Sequence, residues 1–161
     1  RLYNSRYLNQ ALRRETKRAI RSGRPLSLLF LDLDGFKMVN DRHGHLAGSK
    51  ALAETAAIVR GCARETDIVA RFGGDEFALI LPDTGQEGAV SVAARIRERV
   101  GAAQFLASEG LSLHLTVSIG VATLPDSAGS AEELLRAAEA AMYQVKAHGK
   151  NGIQTFAYKE L

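Results

Sequence analysis

The sequence predicts an α+β fold in which a central, mostly antiparallel sheet of five strands is flanked by helices. Helical segments alternate with short apolar segments along the chain, and two strand-like runs within residues 68–81 are separated by Gly73-Gly74, which is typical of an antiparallel hairpin. With 161 residues, 46% of them hydrophobic, the chain can form one domain with a sizeable core. We therefore expect a single domain over residues 1–161.

Periodicity and composition set the order of the elements. Helices are expected over about 4–22, 36–42, 47–61 and 87–104, and from a cap at Ser130 to a stop at Gly149. Strands are expected over about 26–32, 68–72, 77–81, 113–121 and 153–156. In the last helix, Glu132 and Glu133 lie in the first turn and Lys146 lies in the last turn, which suits the helix dipole.

Two acidic segments carry the strongest functional signal. Residues 71–77 read RFGGDEF, so Asp75 and a second carboxylate directly follow the turn of the hairpin. Residues 28–34 read LLFLDLD, a core strand that ends in Asp32 and Asp34. Carboxylates at the end of a strand beside carboxylates on a turn suit a hard cation such as Mg²⁺. We interpret Asp32 and Asp75 as metal ligands and Asp34 as the N-cap of the next helix.

Charge and cysteine content argue against several classes of protein. The net charge is +3, and residues 1–24 carry eight Arg or Lys against Glu15 alone. No interleaved aromatics or base-reading motif accompany this basic helix, so we expect a solvated face and no nucleic acid. Cys62, the only cysteine, excludes an internal disulfide and is expected to pack inside. Without a long apolar run or a secretory signal, a cytoplasmic location with no membrane contact is expected.

The chain resembles the GGDEF-domain diguanylate cyclase family along nearly all its length. Residues 71–77 and residues 32–41, which read DLDGFKMVND, agree with the family in order and spacing. Residues 1–8, 141–146 and 149–151 resemble its opening helix, its C-terminal helix and its exit turn. The resemblance implies the palm-like fold shared with class III nucleotide cyclases. It also implies a catalytic domain excised from a longer protein with an N-terminal regulatory module.

The implied reaction condenses two nucleoside triphosphates into a 3′,5′-cyclic dinucleotide and releases pyrophosphate. Two domains would face each other as a homodimer, each holding one nucleotide. Asp32, the Leu33 carbonyl and Asp75 would bind two Mg²⁺ or Mn²⁺ ions per active site. Either Asp75 or Glu76 would take the proton of the attacking hydroxyl, and the residues leave both open.

Further residues are implied for the nucleotide itself. They are Gly35, Phe36, Lys37, Asn40, Ser49, Gly74, Lys146 and Lys150. Backbone N–H groups at the start of the second helix, together with Lys37, suit phosphate. Lys146 and Lys150 would reach the terminal phosphates, and Gly74 would lie against the nucleotide.

Arg64 and Asp67 stand where many family members carry Arg-x-x-Asp, an inhibitory site that binds the cyclic dinucleotide product. Arg64 would contact phosphate or guanine, and Asp67 would accept a hydrogen bond from guanine. Arg95, on the following helix, would contribute from a second face. The resemblance therefore implies product inhibition.

Ser49 departs from the family pattern, in which an Asp usually contacts the base with help from the position of Asn40. An ionised Asp only accepts hydrogen bonds, so it pairs with guanine N1–H and N2–H₂ and disfavours adenine. Serine both donates and accepts, and a family subgroup with Ser here makes cyclic GMP-AMP alongside cyclic di-GMP. We expect this domain to accept ATP as well as GTP. Alternatively, Ser49 only weakens guanine binding and the product stays cyclic di-GMP.

A second class of function stays open, because some GGDEF-like domains have lost catalysis and act as receptors for GTP or a cyclic dinucleotide. The intact Gly73, Gly74, Asp32, Asp75 and Glu76 favour an enzyme. A nucleic-acid polymerase palm would need template-binding and fingers regions that 161 residues do not provide.

Overall fold

The computed structural model describes residues 2–156. The α-helices of this part of the chain are α1 Ser5–Ser22, α2 Phe36–His43, α3 His45–Cys62, α4 Gln86–Ala102 and α5 Ala131–Ala147. Its strands are β1 Leu2–Tyr3, β2 Leu26–Asp34, β3 Ile68–Arg71, β4 Glu76–Pro82, β5 Thr116–Leu124 and β6 Gly152–Thr155. Within residues 2–156, no helix combines the length and the apolar character that crossing a membrane requires.

The strands form one sheet in the order β1-β3-β4-β2-β5-β6. The four inner strands are antiparallel, whereas β1 and β6 pair in parallel with β3 and β5. The α+β class is confirmed, but the prediction of five strands is wrong, because β1 makes a sixth. Two residues are too few for a periodic pattern, so only pairing with β3 reveals this strand.

The other predicted elements are present with shifted ends. The largest shift concerns β5, which was expected over 113–121 and runs over Thr116–Leu124. Leu113 instead forms an isolated antiparallel bridge with Phe105 in the preceding loop. The alternation of residues 113–121 therefore spans two separate pairings. Cys62 is buried at the end of α3, as expected.

Helices cover both faces of the sheet, and β2 lies at its centre. Leu29 and Leu31 pack toward α3 and α4, while Leu28 and Phe30 pack toward α1 and α5. A strand that is buried on both faces reads as a continuous apolar run. The acids that end this run therefore mark where β2 reaches the edge of the core.

Helix α5 crosses the sheet in very close approach to β5 at Gly120. A Cβ on Gly120 would lie 2.1 Å from the Ala138 carbonyl oxygen and 2.4 Å from the Met142 nitrogen, both backbone atoms. Two backbones approach this closely only where the strand has no side chain. Gly120 thus sets how deeply α5, with Lys146 in its last turn, seats on the sheet.

We expect Gly120→Ala to lower the free energy of unfolding by about 2–3 kcal/mol, because backbone atoms of α5 must move to admit the methyl group. Gly101→Ala is the matched control. Gly101 lies in α4, where an added Cβ meets nothing within 4 Å, so its replacement should raise the stability by about 0.5–1 kcal/mol. Urea denaturation measures both values, and equal stabilities would contradict the expected role of Gly120.

Candidate active site

The two predicted acidic segments meet at one edge of the sheet. Antiparallel pairing of β2 with β4 sets Asp32 opposite Glu76. Just beyond this pair, the Leu33 N–H donates to the Asp75 carbonyl oxygen at 3.1 Å. The Asp75 carboxyl group also lies close enough to that of Asp32 to raise its pKa. The register of β2 and β4 thus brings together the carboxylates that the sequence placed on separate segments.

Asp32 and Glu76 hold protons more tightly than carboxyl groups usually do. Burial and the neighbouring Asp75 carboxyl group raise the pKa of Asp32 to about 7, although the nearby Lys146 ammonium opposes the shift. Burial and the charge of Asp75 also raise the pKa of Glu76. Carboxylates this close repel one another when all are ionised, so one of them keeps its proton unless a cation lies between them.

The donor set fits a hard divalent cation. Asp32 Oδ1 is buried without a hydrogen-bond partner, and the Lys146 ammonium, at 3.6 Å, lies beyond hydrogen-bonding distance of it. Among residues 2–156, no three His, Cys, Asp or Glu side chains converge as a ready-made metal cage. Two carboxylates completed by phosphate oxygens are the usual way in which proteins hold Mg²⁺.

The turn of the hairpin is shaped by its glycines and by Arg71. The Arg71 guanidinium donates to the carbonyl oxygens of Gly73 and Gly74, at 3.2 and 2.7 Å. A Cβ on Gly73 would lie 2.3 Å from a Glu76 carboxylate oxygen, whereas one on Gly74 would meet nothing within 4 Å. Gly73 therefore makes room for Glu76, and Gly74 leaves open space in front of the turn. The part played by Arg71 was missed, although the residue belongs to the motif.

A cavity of about 490 Å³ opens beside the acids. Its lining residues are Leu33, Gly35, Phe36, Lys37, Met38, Asp41, Arg42, Asp75, Lys146 and Lys150. Most of the predicted phosphate-binding and metal-binding residues thus share one hollow of a size that suits a small ligand. Arg42, which the sequence reasoning missed, adds a fourth cation to the three lysines. A larger hollow of about 630 Å³ lies on the side of Tyr3 and Arg71, away from these residues.

Helix α2 begins at this cavity without a side-chain cap. The N-cap residue is Gly35, in the left-handed conformation with φ 83°, so the prediction of Asp34 as N-cap is wrong. The chain must turn sharply from β2 into α2, and glycine adopts such a φ without strain. Since Gly35 has no side chain to accept a hydrogen bond from the first N–H groups of α2, these donors suit an anion.

Asp34 is instead the buried end of β2, and its carboxylate accepts hydrogen bonds from four donors. They are Thr116 Oγ1 at 2.8 Å, Ser118 Oγ at 2.9 Å, Lys146 Nζ at 2.6 Å and the Asn151 N–H at 3.0 Å. Burial alone would raise the pKa of Asp34, but these hydrogen bonds outweigh it and lower the pKa. Thr and Ser at alternate positions of the apolar strand β5 were the available signal for this arrangement.

Asn40 and Ser49 lie outside the cavity lining, at the contact of α2 with α3. A Cβ on Gly48 would lie 1.7 Å from Asn40 Oδ1, so Gly48 admits the Asn40 side chain. That Oδ1 atom is buried and has no hydrogen-bond partner. Ser49, the next residue on α3, is exposed. An unpaired acceptor such as Asn40 Oδ1 suits a ligand that brings an N–H group.

Arg64 and Asp67 come together, but they contact each other. Arg64 Nη2 lies 3.1 Å from Asp67 Oδ1 and 2.9 Å from the Pro82 carbonyl oxygen. The Arg64 N–H donates to Asp67 Oδ2 at 2.8 Å, and the Asp67 side chain is only 1% exposed. In this arrangement Asp67 holds the turn between α3 and β3. The Arg64 and Arg95 side chains remain exposed, so the inhibitory site stays a prediction.

Comparison with known proteins agrees with this geometry. The family model described as "Diguanylate cyclase, GGDEF domain" matches residues 1–152. Response regulator PleD of Caulobacter vibrioides is 39% identical over 153 residues, which cover 94% of this chain and 34% of PleD. The chain therefore spans about a third of the length of this relative.

Solved structures are similar over their whole domain. The GGDEF domain of YfiN (TpbB) from Pseudomonas aeruginosa superposes with a TM-score of 0.92 at 34% identity, covering 98% of both chains. The GGDEF domain of DgcB from Caulobacter crescentus, in complex with cyclic di-GMP, gives a TM-score of 0.89 at 28% identity, covering 96% of this chain and 91% of that one. The chain belongs to the GGDEF-domain diguanylate cyclase family.

Proposed function

We propose that this domain condenses two molecules of GTP into cyclic di-GMP and releases pyrophosphate. The observation that carries the proposal is the meeting of Asp32 and Asp75 beside a cavity lined by Lys37, Lys146 and Lys150. Carboxylates that hold a divalent cation beside cations that hold phosphates are the two requirements of phosphoryl and nucleotidyl transfer.

In this mechanism, Asp32, the Leu33 carbonyl and Asp75 hold Mg²⁺ or Mn²⁺, with two ions per site. When bound, these ions neutralise phosphate charge and lower the pKa of the attacking hydroxyl. The N–H groups at the start of α2 and the cavity lysines orient the triphosphate. Asp75 or Glu76 accepts the proton of the 3′-hydroxyl. The 3′-oxygen then bonds to the α-phosphorus of the other nucleotide as the bond to pyrophosphate breaks.

Ring closure requires this transfer twice, once in each direction, so each of two domains holds one nucleotide. The active unit is therefore a homodimer in which the two cavities face each other. The product is an anion with two guanines, and we propose that it also binds at Arg64, Asp67 and Arg95 and inhibits the enzyme. Binding of the product to Asp67 requires that the contact between the Arg64 side chain and the Asp67 carboxylate breaks.

The direct test is incubation of the domain with Mg²⁺ and equimolar GTP and ATP, followed by identification of the products by chromatography and mass. Cyclic dinucleotide with release of pyrophosphate is the expected result. Absence of any product, even from two domains fused to a dimerising segment, would overturn the proposal. Binding of GTP or cyclic di-GMP without turnover would then favour a receptor.

We further propose that the base site accepts adenine as well as guanine, so that cyclic GMP-AMP accompanies cyclic di-GMP. Ser49 supports this because its hydroxyl can donate to the adenine N1 acceptor or accept from the guanine N1–H. The neighbouring Asn40 Oδ1, buried and unpaired, can accept from an N–H group of either base. Position 49 therefore carries no ionised acceptor that would reject adenine.

Ser49→Asp should shift the products toward cyclic di-GMP. An ionised carboxylate at this position favours guanine over adenine by about 1–3 kcal/mol, or about 5- to 150-fold in the ratio of the two bases. The measurement is the product ratio from equimolar GTP and ATP. Ser91→Asp makes the same chemical change on the exposed surface of α4 and should leave the ratio unchanged. An unchanged ratio in Ser49→Asp would remove the explanation.

A further inference from the structure

The Asp34 carboxylate joins three parts of the chain that are distant in the sequence. It ends β2 and accepts hydrogen bonds from two hydroxyls of β5, from Lys146 in the last turn of α5, and from the backbone of Asn151 just before β6. Its side chain is 5% exposed, so these donors replace nearly all of its hydration. The β5 hydroxyls hold the carboxylate at a fixed place. Of the other two donors, Lys146 lines the cavity, and Asn151 directly follows Lys150, which also lines it.

The Lys146 ammonium is thereby held at one point. Its Nζ lies 2.6 Å from Asp34 Oδ1 and 3.6 Å from Asp32 Oδ1. An ammonium group has three donors, and the bond to Asp34 uses one of them. Lys146 also lines the cavity, so its other donors are free to meet an anion there. A lysine otherwise loses much rotamer freedom when it binds phosphate, and Asp34 has already removed that freedom.

Lys150 is placed by the other contact of Asp34. The chain leaves α5 through three residues in the left-handed region, Gly149, Lys150 and Asn151, with φ of 104°, 63° and 49°. The Lys150 N–H donates to the Val145 carbonyl oxygen at 2.9 Å, and the next N–H, of Asn151, donates to Asp34 Oδ2 at 3.0 Å. The turn that carries Lys150 is therefore attached to the same carboxylate.

We propose that Asp34 is a positioning residue for substrate binding, which holds Lys146 and the turn of Lys150 so that both ammonium groups meet the triphosphate in the cavity. The inference rests on the proposed function, because it takes a nucleoside triphosphate with Mg²⁺ as the ligand. Asp34 itself touches no phosphate. It acts against its own charge, since a carboxylate beside a triphosphate site repels the ligand.

Because the charge of Asp34 and its positioning role act in opposite directions, the direction in which triphosphate affinity changes distinguishes them. Asp34→Asn removes a negative charge, so a purely structural Asp34 would leave triphosphate binding unchanged or make it tighter. If Asp34 positions the lysines, the same variant binds more weakly, by about tenfold, because the Lys146 ammonium and the turn that carries Lys150 lose their anchor. The probe is guanosine 5′-(α,β-methylene)triphosphate with Mg²⁺, titrated into the domain by calorimetry.

Asp126→Asn is the matched control. Asp126 is exposed and does not line the cavity, so this variant should bind the analogue as the wild type does. In a Lys146→Met background, Asp34→Asn should cost much less than in the wild type, because the main group that it positions is gone. Equal or tighter binding by Asp34→Asn in the wild-type background overturns the inference.

A second variant covers the case in which Asp34→Asn does not fold. Thr116→Val removes one hydroxyl that orients Asp34 and changes no charge, and it should weaken binding of the analogue about threefold. Unchanged binding in Thr116→Val would then overturn the inference. A wild-type domain that binds the analogue and makes cyclic dinucleotide, beside variants that bind equally well, would refute the role of Asp34 alone. A wild-type domain that neither binds nor turns over GTP would refute the proposed function and this inference with it.

Discussion

Asp32→Asn is expected to abolish cyclic dinucleotide synthesis and, at the same time, to make the metal-free domain more stable. Loss of one metal-binding carboxylate should lower kcat by about 10³-fold or more, because the amide binds Mg²⁺ far more weakly. The gain in stability has a different cause. In the absence of metal, the folded domain buries a carboxylate beside two others, and a neutral amide of the same shape avoids that repulsion.

The pH dependence of this gain follows from the raised pKa. The pKa of Asp32 is about 7 in the folded domain against an ordinary value of 3.8, so the folded state holds a proton that the unfolded chain releases. That proton favours folding fully below about pH 4, and the contribution is lost as the pH rises through about 7. Asp32→Asn cannot release a proton, so its advantage should grow from near zero at about pH 4 to about 1–3 kcal/mol at about pH 8.

Urea denaturation in EDTA at several pH values measures this difference. Saturating Mg²⁺ should reverse the order at about pH 8, because only the wild type gains stability from the bound metal. Asp126→Asn, a change at an exposed turn, should follow the wild type under all conditions. A variant that remains active, or that is less stable than the wild type in EDTA at about pH 8, would show that Asp32 does not have this role.

Asp75→Asn and Glu76→Gln are expected to differ in how they respond to metal. Asp75 lies close enough to Asp32 to raise its pKa, whereas Glu76 folds back over Gly73. Asp75→Asn should therefore lower kcat by about 10³-fold and raise the Mg²⁺ concentration at half-maximal rate. Glu76→Gln, if Glu76 accepts the proton, should lower kcat by about 10²-fold with the Mg²⁺ requirement unchanged.

Initial rates over a range of Mg²⁺ concentrations separate these outcomes. Complete activity in Asp75→Asn would exclude it from the metal site. An increased Mg²⁺ requirement in Glu76→Gln would assign Glu76 to the metal shell and leave Asp75 as the base. The pH dependence of kcat provides a second readout. Only the variant that lacks the base should lose the fall in kcat at low pH.

Local sequence patterns were sufficient for the elements that build the site. The apolar run of β2 ends in Asp32, and the glycines before Asp75 mark a turn, so both acidic segments were predicted to lie at strand ends. The cavity also contains the lysines expected from the C-terminal helix and its exit. The placement of the acidic segments succeeded because it depends on a few neighbouring residues and on a periodicity that the chain itself carries. The role of the lysines was implied by the family resemblance and stays a prediction.

Predictions failed where a role depends on partners from distant segments. Asp34 is of a residue type and at a position typical of an N-cap. Its four hydrogen-bond donors nevertheless come from β5, α5 and the turn before β6. For Asp67 the sequence did not reveal the pairing with Arg64 that buries it in the fold, and its contact with a ligand stays a prediction. Side chains of this kind satisfy whichever donors the packing brings near, and no local pattern encodes that choice.

The sequence by itself determined the α+β class, the acidic hairpin and the membership of the family, because hydrophobic periodicity and motif spacing are properties of neighbouring residues. Tertiary structure decided the two-residue sixth strand, the approach of α5 at Gly120 and the anchoring of Lys146 by Asp34. Each of these depends on strand register and on the seating of a helix against the sheet. Register and seating are fixed by long-range packing, which only the folded chain specifies.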